Sequence, residues 1–267
     1  MFNSRFSIPI RSDEKRELNI GQIPRFAWDN CQSVTVHQSD SIFLKTYPLG
    51  EADRIVAFFS RDHGKVRGVA NGARRMKNRF GASLEPLAHS RIMFSQKENR
   101  DLVRIQSADL LDSPMKLFEA YDRAVLAAHV IELVDRFLPE HEPQDAVYRL
   151  VRMIVGALEQ DCPIDFAECY FEVWMLRLAG VFPDLFTCSV CGASLGLDSE
   201  RFLASGLQKA LCSPCNRGQN VSVPGAVSSV LHWILKNKLD SPPADCSREL
   251  KSLRELNDYW IRNYCER

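Results

Sequence analysis

The sequence predicts an α+β chain: a five-stranded β-structure followed by a helical region that a cysteine-bearing insert interrupts. Three observations carry this. Short β-rich runs separated by turn residues fill Val34 to Asp112, the apolar spacing becomes helical at Ser113-Pro114, and two C-x-x-C pairs stand in the second half.

Residues 1–33 mix Arg, Asp, Glu, Ser and Pro without a period, which predicts a flexible extension or a start codon placed too early, with no function assigned. Five runs follow: VTVHQSDSIFLKTY, DRIVAFFS, GKVRGVA, HSRIMFS and LVRIQSADL. Leu49-Gly50 closes the first, His63-Gly64 turns the second into the third, and the polar stretch Lys97–Asp101 makes a hairpin tip between the fourth and fifth. This spacing suits an antiparallel barrel or sandwich. A small barrel of this length over 34–112 has the size of an OB-fold, which binds oligonucleotides on one face.

Ser113 is a good N-cap and Pro114 suits the first helical position. Leu117, Tyr121, Ala124, Ala128 and Ile131 then follow at helical spacing, with Phe118, Val125, Val134 and Leu138 widening the apolar face. Further helices are predicted over Gln144–Gln160, over Asp165–Ala179 with Gly180 as terminator, and over Val227–Leu239 and Ser247–Arg262 on either side of Ser241-Pro242-Pro243. The helical domain is assigned to 113–267 and the insert to 186–220.

The insert reads Cys188-x2-Cys191-x20-Cys212-x2-Cys215. This is four-thiolate zinc spacing: each C-x-x-C turn aims two sulfurs from one side, and two such turns complete a tetrahedron. Four sulfurs leave no open position for water or substrate, so the zinc is expected to be structural, although either pair alone would also fit a redox motif. Phe202, Leu203, Leu207 and Leu211 are expected to pack on the metal core, while Lys209 and Arg217 stand where they can touch phosphate. Cys31, Cys162, Cys169, Cys246 and Cys265 lack any pairing and read as small hydrophobes or surface thiols.

Over 267 residues, 34 Lys+Arg balance 34 Asp+Glu, yet the eighteen residues GKVRGVANGARRMKNRFG (64–81) hold six cations and no acid. Arg74, Arg75, Lys77 and Arg79 are the densest group. Cations in a Gly-punctuated loop suit a phosphate backbone. The neighbouring runs carry Phe43, Tyr47, Phe58, Phe59, Phe80 and Phe94, rings on which bases can stack; strand alternation points Phe58 and Phe59 oppositely, so at least one belongs to the core. A solvated surface loop is the plainer alternative. No run approaches the ~18 apolar residues of a membrane span and the first residues lack an export signal's apolar block, so a cytosolic chain without disulfides is expected.

These residues resemble the RecO family of bacterial DNA repair proteins. The resemblance runs from near Val34 to about Cys265 and is carried by LKTYPLGEADRIVAFFSRDHGKVRGVANGARRMKNRFGASLEPL (44–87), WMLRLAGVFPDLFTCSVCG (174–192) and the later CSPC. It implies an N-terminal OB-fold, a helical domain carrying the zinc module, and no catalytic centre. It further implies binding of single- and double-stranded DNA, annealing of complementary strands and, with RecR, loading of RecA onto DNA coated by single-stranded DNA-binding protein. A cytoplasmic protein that joins the nucleoid on DNA follows. Lys65, Arg67, Arg74, Arg75, Lys77 and Arg79 would contact DNA. An apolar pocket rimmed by cations would take the acidic, Phe-ended tail of single-stranded DNA-binding protein, with Arg123, Arg136, Arg149 and Arg152 as candidates by position. The first thirty-odd residues have no counterpart in the family, and the chain ends at CER without the basic tail of many relatives.

Among enzyme motifs, G-x-x-x-x-G-K-[ST], H-E-x-x-H and G-x-S-x-G are missing. Glu51 and Asp53 lack a third carboxylate for Mg2+ and read as a turn, as does His63, whose alternative is a pH sensor. Two other functions fit the same residues: a zinc-ribbon module that docks proteins, with the barrel merely structural, and an RNA-binding factor without annealing activity. Salt-sensitive binding to matched DNA and RNA oligomers separates the three.

Overall fold

A computed structural model describes residues 34–97, 101–204, 208–218, 220–239, 243 and 245–266. The predicted extension at 1–33, Leu207 and the hairpin tip at 98–100 lie outside these residues. Strands β1 (Val34–Leu49), β2 (Asp53–Ser60), β3 (Gly64–Ala70), β4 (His89–Lys97) and β5 (Val103–Asp112) close into a barrel in the order β1-β2-β3-β5-β4. This is the five-stranded barrel that the runs predict. β1 serves two partners: residues from Val34 to Ile42 pair with β4, and those from Ser41 to Leu49 pair with β2, with a register shift between Phe43 and Lys45. Such a shift bends a strand around a small barrel. Closure is made by a short parallel contact, Gly68 with Val103 and Val69 with Arg104.

Alternation along β1 and β2 divides their side chains between two cores. Phe43, Val56 and Phe58 fill the barrel with Val66, Phe80, Ile92, Phe94 and Ile105. Ile42, Leu44, Ala57 and Phe59 point the other way and join the core of the helical region. Phe58 and Phe59 therefore both belong to cores, one to each. The Phe59 ring meets Tyr148 at 5.7 Å.

The helical region holds α1 (Tyr121–Phe137), α2 (Asp145–Glu159), α3 (Ile164–Leu178), α4 (Gly225–Lys236) and α5 (Ser247–Cys265). Ser113-Pro114 does not begin the long helix. Pro114 instead leads into a 3-10 turn, Met115–Phe118, that buries Leu117, and α1 starts only after the extended Ala120. Because the chain breaks between turn and helix, a spacing counted from Leu117 loses phase. Tyr121 and Val125 are exposed, and the buried face is Leu126, Ala127, Val130, Ile131, Leu133, Val134 and Phe137. α2 buries Val147, Leu150, Val151, Ile154 and Leu158, the face its spacing predicts. α3 packs against α2 and α5. It is apolar around most of its circumference, as a central helix must be.

Strands β6 (Arg201–Leu203), β7 (Ala210–Leu211) and β8 (Val221–Val223) form a small sheet in the order β7-β6-β8 between α3 and α4. They carry the cysteine insert.

The barrel and helices also meet through charge. Lys65 stands opposite Phe59 in the β2–β3 register and so faces the helices. Its Nζ donates to the Asp135 carbonyl at 2.5 Å and lies 3.3 Å from Asp135 Oδ1, while Lys45 Nζ reaches Asp135 Oδ2 at 2.8 Å. Burial favours the neutral Asp135 carboxyl, but the hydrogen bond from Lys45 and the charge of Lys65 outweigh it and hold its pKa below the ordinary value. The loop after α1 then runs along β3, where His141 N donates to Lys65 O at 3.0 Å. A Cβ on Gly64 (φ +70) would lie 2.3 Å from the Glu142 carbonyl oxygen, so the approach needs glycine.

Gly68 is the corresponding constraint at the barrel seam. An added Cβ would lie 2.7 Å from Val103 Cγ2 and 3.0 Å from the Val103 carbonyl oxygen. Gly68→Ala is expected to cost about 2 kcal/mol by overpacking, read as a lower urea midpoint.

Candidate nucleic-acid interface and metal centre

The basic loop is an anchored projection. Ala73 and Phe80 are buried, plugging both ends of the loop into the barrel core. Asp53 Oδ1 accepts the Gly72 N–H at 2.7 Å, Arg74 N donates to Ala52 O at 2.9 Å, and Arg74 Nη1 reaches Gly50 O at 2.6 Å. Asn78 Oδ1 accepts the N–H groups of Phe80 (3.0 Å) and Gly81 (2.8 Å). Arg74, Arg75, Met76, Lys77 and Arg79 between these anchors are exposed. Asp53 is therefore the tether of the loop, in keeping with its reading as a turn residue.

Pairing separates these cations from the others of the barrel. Arg54 meets Glu85, Arg61 meets Asp145, Arg67 meets Glu140 at 3.0 Å and Arg91 meets Asp40 at 2.8 Å. Arg74, Arg75, Lys77 and Arg79 have no acidic partner among the described residues; Arg79 lies over the Phe80 ring at 4.8 Å and donates to Ile105 O at 3.3 Å. Lys65, implied by the resemblance as a DNA contact, is withdrawn from this set. It is 5% exposed, and its ammonium is already engaged by Asp135. Arg67 remains exposed but is held by Glu140.

Beside the loop, Arg79 and Asn71 line a groove of about 1020 Å³ with Lys97, Arg104, Gln106 and one acid, Asp101. Lys97 and Arg104 are site candidates that sequence reasoning missed. Their signal was outward alternation at strand ends, which looks the same for any solvated cation. The aromatic expectation needs correction. Phe43, Phe58, Phe59, Phe80 and Phe94 are all core, and only Tyr47, at 51%, is exposed. The barrel interior takes Phe43, Phe58, Phe80 and Phe94, and the core of the helical region takes Phe59. His63 packs on His37 at 4.4 Å and on Phe94 at 5.3 Å. Burial first, then the charge of His37, lowers its pKa.

The four cysteines of the insert converge: the sulfurs of Cys188, Cys191, Cys212 and Cys215 all lie within 4.8 Å of one another. None is in a disulfide. The first turn is closed by Gly192 N donating to Cys188 O at 2.9 Å, the second by Cys215 N donating to Cys212 O at 3.0 Å. Backbone N–H groups of Cys191, Cys212 and Val190 aim at the Cys188 sulfur and lower its pKa to about 6, the condition a thiolate ligand requires. Hydrogen bonding with Cys212 pushes Cys215 up to about 12. Such a cluster can bind a metal ion. Leu203 and Leu211 are buried and Phe202 is half-buried, as expected, while Lys209 and Arg217 are exposed.

Arg201 was not foreseen. It is wholly buried, donating to Leu185 O at 2.7 Å, Gly196 O at 2.6 Å and Ser199 O at 3.2 Å, and so ties both flanks of the first cysteine turn to β6. An arginine beside a C-x-x-C pair reads as a surface charge until the fold surrounds it.

The four helical arginines considered for the tail pocket are each paired: Arg123 with Asp161, Arg136 with Glu132 at 2.7 Å, Arg149 with Asp145 at 2.9 Å and Arg152 with Asp112 at 3.0 Å. Met115, Phe118, Tyr121 and Val125 are exposed apolar side chains. No helix among the described residues is long and apolar enough to cross a membrane.

Residues 34–114 match the family model described as Recombination protein O N terminal, and 119–267 match Recombination protein O C terminal. The DNA repair protein RecO of Koribacter versatilis (strain Ellin345) is 45% identical over 176 residues, 66% of this chain and 71% of the relative. That of Syntrophotalea carbinolica (strain DSM 2380 / NBRC 103641 / GraBd1) is 35% identical over 193 residues, 72% of each. In Bifidobacterium animalis subsp. lactis (strain AD011) the protein of that name is 33% identical over 243 residues, 88% of this chain and 96% of the relative. These matches define the class, a DNA repair protein. The chain belongs to the RecO family.

The tether makes a local prediction. Asp53→Ala removes the acceptor for Gly72 N–H, worth about 1–1.5 kcal/mol. Amide hydrogen exchange over Gly72–Arg75 should then quicken about tenfold while β4 and β5 keep their protection.

Proposed function

We propose that this chain is a recombination mediator without a catalytic centre. It binds single- and double-stranded DNA, anneals complementary strands and, together with RecR, assists loading of RecA onto DNA coated by single-stranded DNA-binding protein. The observation that carries the reading is the sorting of charge. Among the described residues, four cations stand without acidic partners on one anchored loop of a barrel whose other arginines, apart from Arg104, are ion-paired. Phosphates would be neutralised by Arg74, Arg75, Lys77 and Arg79, with Arg104 and Lys97 extending the track along the groove. Tyr47 offers the ring for base stacking.

Arg67 would join only by exchanging Glu140 for phosphate. The exposed apolar side chains Met115, Phe118, Tyr121 and Val125 support a docking place for a protein partner such as the tail of single-stranded DNA-binding protein. This reading places the protein in the cytoplasm, with the nucleoid when on DNA.

For the metal, the reading is a structural Zn2+ held by Cys188, Cys191, Cys212 and Cys215. A tetrahedron with Zn–S bonds of ~2.3 Å has edges of ~3.8 Å, and Cys191 Sγ lies 3.7 Å from Cys212 Sγ. The ion would hold together a segment too short to bury its own core.

Six phosphate contacts on a single strand correspond to a slope of log affinity against log salt of about −4. The quadruple variant Arg74/Arg75/Lys77/Arg79→Ala should flatten that slope by about 3 and abolish annealing while keeping its circular dichroism and metal content. Unchanged annealing would reject the assignment, and equal affinity for matched RNA would favour an RNA-binding factor.

The metal has its own test. Metal analysis of the purified chain should find one zinc, and Cys188→Ser should lose it and melt roughly 5–10 °C lower.

A further inference from the structure

A second cluster of metal-ligating groups lies inside the helical region, independent of the DNA-binding reading. Glu168 and Glu172 stand one turn apart on α3, so both carboxylates share a face. That face meets His129 of α1 and Arg254 and Asn257 of α5. His129 Nε2 is 2.9 Å from Glu172 Oε1, and Asn257 Nδ2 donates to Glu172 Oε2 at 3.1 Å. Arg254 divides its guanidinium between Asp165 Oδ1 (3.0 Å) and Glu168 Oε2 (2.8 Å), which holds Glu168 toward the cluster.

From these groups the geometry points to a second metal site, in which His129, Glu168 and Glu172 bind a divalent transition-metal ion. One nitrogen and one oxygen from each carboxylate already lie within 4.8 Å of one another. Ligand bonds of ~2.0–2.2 Å around one ion require separations of ~3–3.5 Å, a contraction within reach of side-chain torsions. A second observation points the same way. Asn257 is wholly buried with its carboxamide against Glu172, yet its Oδ1 has no hydrogen-bond partner. A buried acceptor without a donor is costly, and a cation is one means of satisfying it. With one imidazole and two carboxylates, the donor set suits zinc or manganese and lacks the sulfur that marks the cysteine centre. An ion here would tie α1, α3 and α5 together.

The test uses the full chain with its cysteine centre filled by zinc. Mn2+ is then titrated, with the free-ion electron paramagnetic resonance signal as readout; sulfur ligands disfavour this ion. Wild type should remove one Mn2+ per chain from solution, and zinc should displace it. His129→Gln and Glu168→Gln should each weaken binding at least tenfold while keeping the helical circular dichroism and thermal unfolding of wild type, which report that the helical region is folded. Were one variant to unfold, the other would decide. No uptake by wild type at millimolar Mn2+, together with no second equivalent of zinc, would mean that the cluster is an ion-pair network only and would overturn the site. So would uptake that both variants leave unchanged.

Discussion

The described residues are arranged around β1 and β2, two strands whose middle stretches, residues 41–44 and 56–60, are covered on both faces. Their alternate residues enter different cores, with Phe43 and Phe58 inside the barrel and Ile42, Leu44 and Phe59 against the helices. A strand buried on both sides cannot shift register by one residue without exchanging its two sets of side chains. The barrel is thus bound to the helical region through its own backbone pattern. The bend in β1 and the tight seam at Gly68 follow from the need to close a small barrel while keeping that outer face flat enough to pack.

The same junction decides which charges remain available. Where the helices cover the barrel, cations are drawn into pairs: Lys45 and Lys65 converge on Asp135, and Arg67 meets Glu140. Away from it, Arg74, Arg75, Lys77 and Arg79 project from a loop that is pinned by backbone bonds to the β1–β2 turn and plugged by Ala73 and Phe80. Anchoring fixes where the loop sits and leaves its four cations exposed, with no acidic partner among the described residues. In a chain with no net charge, attraction for a polyanion has to be local, and under the proposed function this partition would supply it.

The cysteine insert and the His129 cluster represent two ways of stabilising polar groups. In the insert, sulfurs gather where strands are only two or three residues long, and a buried arginine that donates to three carbonyls supports the first turn. Inside the helical region, Glu172 is buried on the central helix and held from two neighbouring helices. In both places the polar atoms pin down contacts that apolar packing leaves free to slide.

Much of this was written in the sequence by itself. Strand limits were legible because turn residues interrupt a period of two, α2 and α3 because their apolar spacing is unbroken, and the cysteine centre because ligand spacing is a local property of the chain. The first helix was misphased because a 3-10 turn resets the count between Leu117 and Tyr121. The fate of individual side chains belonged to the tertiary structure. Lys65 and Arg74 are indistinguishable as letters in one basic stretch, yet one is buried on Asp135 and the other stands in solvent. Phe59, Arg201 and Glu172 were decided in the same way. Burial and pairing depend on what distant segments bring to a residue, and no local pattern records that.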